Sequence, residues 1–104
     1  MERTITPDAL KAKLDELYIL DARRPSDLAA SSEKLPGAQW QDPEKITEWL
    51  PQLPKDKDIV LYCVRGGSVS NGVVDALQAQ GFKARFIEGG IEGWKAAGGQ
   101  TQSK

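Results

Sequence analysis

The chain has no histidine and a single cysteine, Cys63, among its 104 residues. Without imidazole, Ser-His-Asp and Cys-His catalysis are excluded, as are zinc sites built from several His and Cys ligands. One cysteine cannot close an internal disulfide, so the fold does not depend on an oxidising compartment. The GxxxxGK(S/T) and GxGxxG phosphate-binding patterns are missing too, which leaves nucleotide-dependent catalysis without footing. Neither sign of charge is in excess: 14 basic residues face 15 acidic ones, for a formal net charge of −1. That balance argues against nucleic acid or an anionic membrane as the main partner. No stretch approaches the roughly 20 apolar residues of a membrane span. The stretch Met1-Glu2-Arg3-Thr4 also lacks the apolar core of a secretory signal. We expect a cytoplasmic protein that works without a cofactor or metal.

What is present is a regular alternation of short apolar runs with amphipathic stretches. That pattern marks strands alternating with helices, and hence an α/β domain with a mainly parallel sheet covered on both faces. The length suits one domain, expected over residues 1–99, with 100–104 as a disordered tail. Thr4-Ile5 reads as an edge strand, and Thr6 caps a helix that has Pro7 at its first position. Tyr18 to Asp21 is the next strand. Pro25 opens a short helix, Ser31 to Gly37 is loop, and Ala38 to Trp40 is a brief strand. Pro43 starts a helix whose inner face carries Ile46, Trp49 and Leu50. Ile59 to Tyr62 has no polar interruption, as expected of a central strand buried on both faces. The pattern predicts a helix from Val69 to Gln80, striped by Val73, Val74 and Leu77 and ended by a left-handed Gly81. A strand at Ala84 to Ile87 and a helix from Ile91 to Ala97 complete the order.

Cys63 stands where the central strand breaks into Val64-Arg65-Gly66-Gly67-Ser68 before the helix begins. A strand's carboxyl end feeding a Gly-rich loop and a helix N-terminus gathers backbone N–H groups around one point. Such a place favours an anion and lowers a thiol's pKa, so thiolate chemistry is expected, with alkylation staying fast near neutral pH. Asp21-Ala22-Arg23 and Glu88 to Trp94 also fall at strand carboxyl ends, where binding crevices form in open parallel sheets. The three segments are expected to converge.

These residues resemble the rhodanese-like sulfurtransferases. The resemblance rests on Ile19-Leu20-Asp21-Ala22-Arg23, Leu35-Pro36-Gly37-Ala38, Val60-Leu61-Tyr62-Cys63 with its loop, and Ile87-Glu88-Gly89-Gly90-Ile91-Glu92-Gly93-Trp94. It implies a three-layer domain with a central five-stranded, mainly parallel sheet and helices on both faces. It also implies that Cys63 carries sulfane sulfur as a persulfide. Many relatives read Cys-x-x-Gly-x-Arg-Ser, whereas here Ser68 occupies the arginine position and Arg65 lies second after the cysteine.

The expected chemistry is transfer of sulfane sulfur from thiosulfate, or from a persulfide donor, to cyanide or a thiol acceptor. N–H groups of Val64 through Ser68 would stabilise the persulfide anion, with Gly66 and Gly67 supplying the backbone freedom. Arg65 would attract the anionic donor, and Ser68 would donate to the thiolate or cap the helix. Asp21 and Arg23 are expected to brace the neighbouring loops. The three tryptophans read as core and rim packing, and the glycines at 89, 90 and 93 as a tight turn beside the cysteine loop. A phosphatase or arsenate reductase of related fold would need Arg six residues after the cysteine, where Val69 stands. The non-enzymatic alternative is a sulfur-carrier or regulatory binding module fed by a protein partner.

Overall fold

The computed structural model describes residues 3–65 and 67–103, with Ser68 described by its backbone. Among the described residues the strands are β1 (Thr4–Ile5), β2 (Tyr18–Asp21), β3 (Glu33–Lys34), β4 (Gln39–Trp40), β5 (Ile59–Tyr62), β6 (Ala84–Ile87) and β7 (Gln102–Ser103). The α-helices are α1 (Pro7–Lys13), α2 (Pro25–Ala29), α3 (Ile46–Trp49), α4 (Ser68–Ala79) and α5 (Gly90–Ala96). Five strands form one parallel sheet in the order β1-β6-β5-β2-β4, with Tyr18 opposite Ile59 and Ile59 opposite Ala84. The fold is therefore the α/β architecture with a central five-stranded parallel sheet.

Every residue of β5 is buried, and its side chains alternate between two cores, as the period of two in a strand requires. Ile59 and Leu61 join Leu20, Val74, Leu77 and Phe86 on the side of α3 and α4. Val60 and Tyr62 join Ile19, Leu10, Ile91 and Trp94 on the side of α1 and α5. After β2 the chain moves outward to β4, and after β5 it moves outward in the opposite direction to β6. The order reverses between β2 and β5, so a crevice opens at their carboxyl ends.

The local signals act as read in several places. The Thr6 hydroxyl accepts from the Ala9 amide at 3.2 Å and Pro7 begins α1. Gly81 has φ +86° after α4, and the Phe82 amide closes back on the Leu77 carbonyl at 3.1 Å. The single helix expected after Pro43 is instead split into a 3₁₀ turn at Pro43–Lys45, the short α3, and a second 3₁₀ turn at Leu50–Gln52. Pro51 lacks an N–H and crowds the preceding turn, which favours tightening into 3₁₀ geometry.

Residues 31–37 are not all loop, and Gln102–Ser103, within the segment expected to be a disordered tail, form a strand. Glu33–Lys34 pairs antiparallel with Gln102–Ser103. The segment is held from several directions: the Trp94 indole donates to the Gln100 carbonyl at 2.7 Å, the Gln102 side chain accepts from the Gly37 amide at 3.1 Å, and Thr101 donates to Glu33. Short polar strands with no apolar face carry no periodicity that a sequence pattern can detect. Lys104, at the end of that segment, lies outside the described residues.

Candidate active site

Cys63 is the first residue beyond β5 and is 7% exposed. Its position follows from strand order, since β5 runs down the middle of the sheet and delivers its last residue into the crevice beside β2. The loop then turns into α4, whose N-cap is Gly67, with no side-chain cap hydrogen bond. Ser68, expected as a possible cap, is the first helical residue. Gly67 takes the cap place because its carbonyl accepts from the Asn71 amide at 3.2 Å, with the Asn71 side chain adding a second bond at 3.1 Å. Arg65 and Gly67 are exposed and Val64 is half-buried. Gly66 and the Ser68 side chain, both expected in the site, lie outside the described residues.

Among the described residues, Ser70 brings a hydroxyl to the sulfur, its Oγ donating to Cys63 Sγ at 2.9 Å. Ser70 is fully buried. A signal for it existed in the sequence: Ser70 lies three and four residues before Val73 and Val74, on the same inward helix face. A serine on an apolar stripe aimed at a strand-end cysteine is a candidate partner for that cysteine.

The C-terminal glycine turn packs directly on the cysteine peptide. The Ile91 amide donates to the Cys63 carbonyl at 2.9 Å, and the Glu92 amide to the Val64 carbonyl at 3.1 Å. A β-carbon on Gly90 would lie 2.4 Å from the Cys63 carbonyl oxygen, and one on Gly93 would lie 2.5 Å from the Glu88 carbonyl oxygen. Gly90 also has φ +60°. Only glycine lets this backbone approach the cysteine loop so closely.

Asp21 and Arg23 form a buried ion pair, with Nη2 donating to Oδ2 at 2.7 Å. Arg23 Nε and the Arg23 amide each donate to Oδ1 at 3.0 Å. The pair braces its surroundings: Nη2 also donates to the Glu33 carbonyl at 2.9 Å, and the Trp40 indole donates to the Arg23 carbonyl at 2.9 Å. Burial works against the guanidinium's charge, but the hydrogen bonds and attraction of Asp21 outweigh it and hold the Arg23 pKa above its ordinary value. Tyr62 completes the cluster, its hydroxyl donating to Asp21 Oδ2 at 3.0 Å and accepting from the Leu35 amide at 3.3 Å. Burial first, then the Asp21 charge, raises the Tyr62 pKa, so the phenol stays a donor. Nothing in the sequence separates Tyr62 from an ordinary core aromatic.

Residues 6–97 match the signature of the rhodanese-like domain. The chain belongs to the rhodanese family. Among its relatives is the Bacillus subtilis (strain 168) protein named "Putative sulfurtransferase YtwF", 35% identical over 98% of this chain and 96% of that protein. The thiosulfate sulfurtransferase GlpE of Tolumonas auensis is 29% identical, covering 88% of this chain and 85% of its own. A rhodanese-related protein of Thermoplasma volcanium superposes with a TM-score of 0.88 at 24% identity, over 98% of this chain and 99% of that one. In this rhodanese-like domain the cysteine loop, the Asp21–Arg23 pair and the glycine turn all gather at the carboxyl ends of the parallel strands. No helix among the described residues is long and apolar enough to cross a membrane.

Proposed function

We propose that the protein is a sulfurtransferase that takes sulfane sulfur from thiosulfate, or from a persulfide donor, onto Cys63 and passes it to cyanide or a thiol. The supporting observation is the placement of Cys63 Sγ at the carboxyl end of the central strand, with the Ser70 hydroxyl 2.9 Å away and the α4 N-terminus following the loop. Such a place stabilises a thiolate, and equally the persulfide anion that replaces it, through dipoles that need no rearrangement.

The thiolate attacks the outer sulfur of thiosulfate. The S–S bond of thiosulfate breaks and its electron pair leaves with sulfite, so no proton is needed and the lack of histidine costs nothing. Cyanide or an acceptor thiolate then attacks the outer sulfur of the persulfide, and Cys63 departs as thiolate. Arg65, exposed in the loop, attracts the anionic donor. The slight exposure of Cys63 favours a small donor over one that must bring a bulky surface to the sulfur.

The test is the intact mass of the protein before and after thiosulfate, with Cys63→Ser in parallel. We expect a gain of one sulfur atom that cyanide reverses and that the variant lacks. No gain would defeat the thiosulfate reading and favour a carrier loaded by a protein partner. Loading by a cysteine desulfurase distinguishes that case.

A further inference from the structure

Strand parity puts Cys63 and the Asp21–Arg23 pair on opposite faces of the sheet. Ile59 and Leu61 pack on the side of α3 and α4, so Cys63, two residues on, points the same way. The hydrogen bond from Ser70 of α4 holds its sulfur there. Leu20 of β2 and Ala22 just beyond it belong to that core as well. Asp21 and Arg23 turn instead to Tyr62 on the other face, the Arg23 guanidinium lying 5.5 Å from the centre of the Tyr62 ring. The next residue on the sulfur's side is Arg24, where the backbone is still extended at φ −63° and ψ 153°. Arg24 walls a cavity of about 250 Å³ together with Glu44, Ile46 and, from α4, Val69 and Val73 among others.

Arg24 is exposed, and among the described residues its side chain has no ion pair or hydrogen bond. Arg23, one residue earlier, is by contrast fully buried and committed to Asp21. Val69, across the cavity from Arg24, directly precedes the serine that holds the sulfur. The Ala22 amide donates to the Tyr62 carbonyl at 2.8 Å, one residue beyond the Asp21–Tyr62 register pair. With about 4.8 Å between strands and about 3.3 Å per residue, the Arg24 backbone lies within about 12 Å of that of Cys63. Cys63 does not wall the cavity, and no contact with the sulfur is required: in about 10 mM salt a charge is felt over about 30 Å. The whole chain carries a net charge of −1, so an anion is drawn to the crevice by a local field and not by a global one. Glu44 stands in the same cavity and opposes Arg24.

We propose that Arg24 is a specificity-determining residue, whose guanidinium draws small anionic sulfur donors to Cys63, and that Glu44 limits that preference. The choice of donor rests on the sulfurtransferase reading, whereas the field at Cys63 does not. Arg24 makes no bond to the transferred sulfur. It raises the local concentration of an anionic donor and leaves the attack on the S–S bond to Cys63. Because the donor's charge is present before and during the attack, the attraction enters KM and not kcat.

Alkylation of Cys63 by iodoacetate and by iodoacetamide isolates the charge effect. Both reagents need the same thiolate, so the ratio of their rates cancels its pKa and reads the preference for an anion alone. In about 10 mM salt, Arg24→Gln is expected to lower the iodoacetate-to-iodoacetamide ratio about threefold, Arg24→Lys to keep it and Glu44→Gln to raise it. Lys57→Gln makes the same change of charge at an exposed residue before β5, about 20 Å along the strand from Cys63, and is expected to leave the ratio nearly unaltered. An unchanged ratio in Arg24→Gln, or an equal fall in Lys57→Gln, would overturn the role of Arg24 whether or not sulfur is transferred. With thiosulfate as donor, Arg24→Gln is expected to raise KM about threefold at unchanged kcat, the difference vanishing in about 1 M salt, where the Debye length is about 3 Å. A lowered kcat at unchanged KM would overturn the donor assignment. Absence of turnover in the wild-type protein would instead defeat the sulfurtransferase reading, with the alkylation ratio still deciding Arg24.

Discussion

Ser70 and the Asp21–Arg23 pair carry the residue-scale consequences. The Ser70 hydroxyl faces Cys63 Sγ directly, and a hydrogen bond to a charged sulfur contributes about 1.5–3 kcal/mol. Ser70→Ala is therefore expected to lower kcat/KM for thiosulfate by about tenfold or more, read by steady-state sulfur transfer. An unchanged value would remove the hydroxyl from the chemistry. Asp21→Ala strands the Arg23 guanidinium in a site of no exposure, and breaking a buried pair from one side costs about 3–5 kcal/mol. Urea unfolding should show the loss as a lowered midpoint. Asp21, Arg23 and Cys63 were all legible in the sequence, because charged residues at a strand end and a lone cysteine before glycines are rare in a chain otherwise read as core. Tyr62 was not, since its hydroxyl acts only once Asp21 and Leu35 are brought to it by the fold.

At the scale of elements, two glycines make opposite predictions. In Gly90→Ala the added carbon meets the Cys63 and Val64 carbonyls at 2.4 and 2.6 Å, at a backbone angle that disfavours alanine. We expect a loss of about 2–3 kcal/mol in denaturant titration. Gly72, in the middle of α4, would place its new carbon in open space, so Gly72→Ala should raise stability by about 0.5–1 kcal/mol. The pairing of β3 with β7 is the acid-sensitive contact. The Thr101 hydroxyl, and then the Lys95 ammonium, hold the Glu33 carboxyl below its ordinary pKa of 4.5. A carboxyl with a lowered folded pKa adds stability that is complete above its unfolded value and fades as pH falls through the folded one. NMR titration should place the Glu33 midpoint below 4.5 and move it upward in Thr101→Ala. A wild-type midpoint at 4.5 or above would contradict the contact. Strand β5 was readable because burial on both faces demands an unbroken apolar run, and β2 and β6 because each is mostly apolar, whereas β3 and β7 are polar and pair only because Trp94 and Gly37 hold that segment in reach.

For the whole molecule, both cores share one sheet, so neither half can lose its packing alone. Tryptophan fluorescence, with Trp49 and Trp94 on opposite faces, and far-UV circular dichroism should give coincident urea transitions. Separated transitions would mean that the two faces unfold as distinct units. The sequence by itself determined the α/β class, the central strand, the place of the single cysteine at that strand's end and the absence of imidazole, because periodicity and composition are properties of the chain read in order. Tertiary structure alone decided that Ser70 meets the sulfur, that Gly90 presses on the Cys63 carbonyl, that the C-terminal segment pairs with residues 33–34, and that Arg24 faces α4 across a cavity. Each of these joins segments separated along the chain, and their distances are set by strand order and packing, which no local pattern encodes.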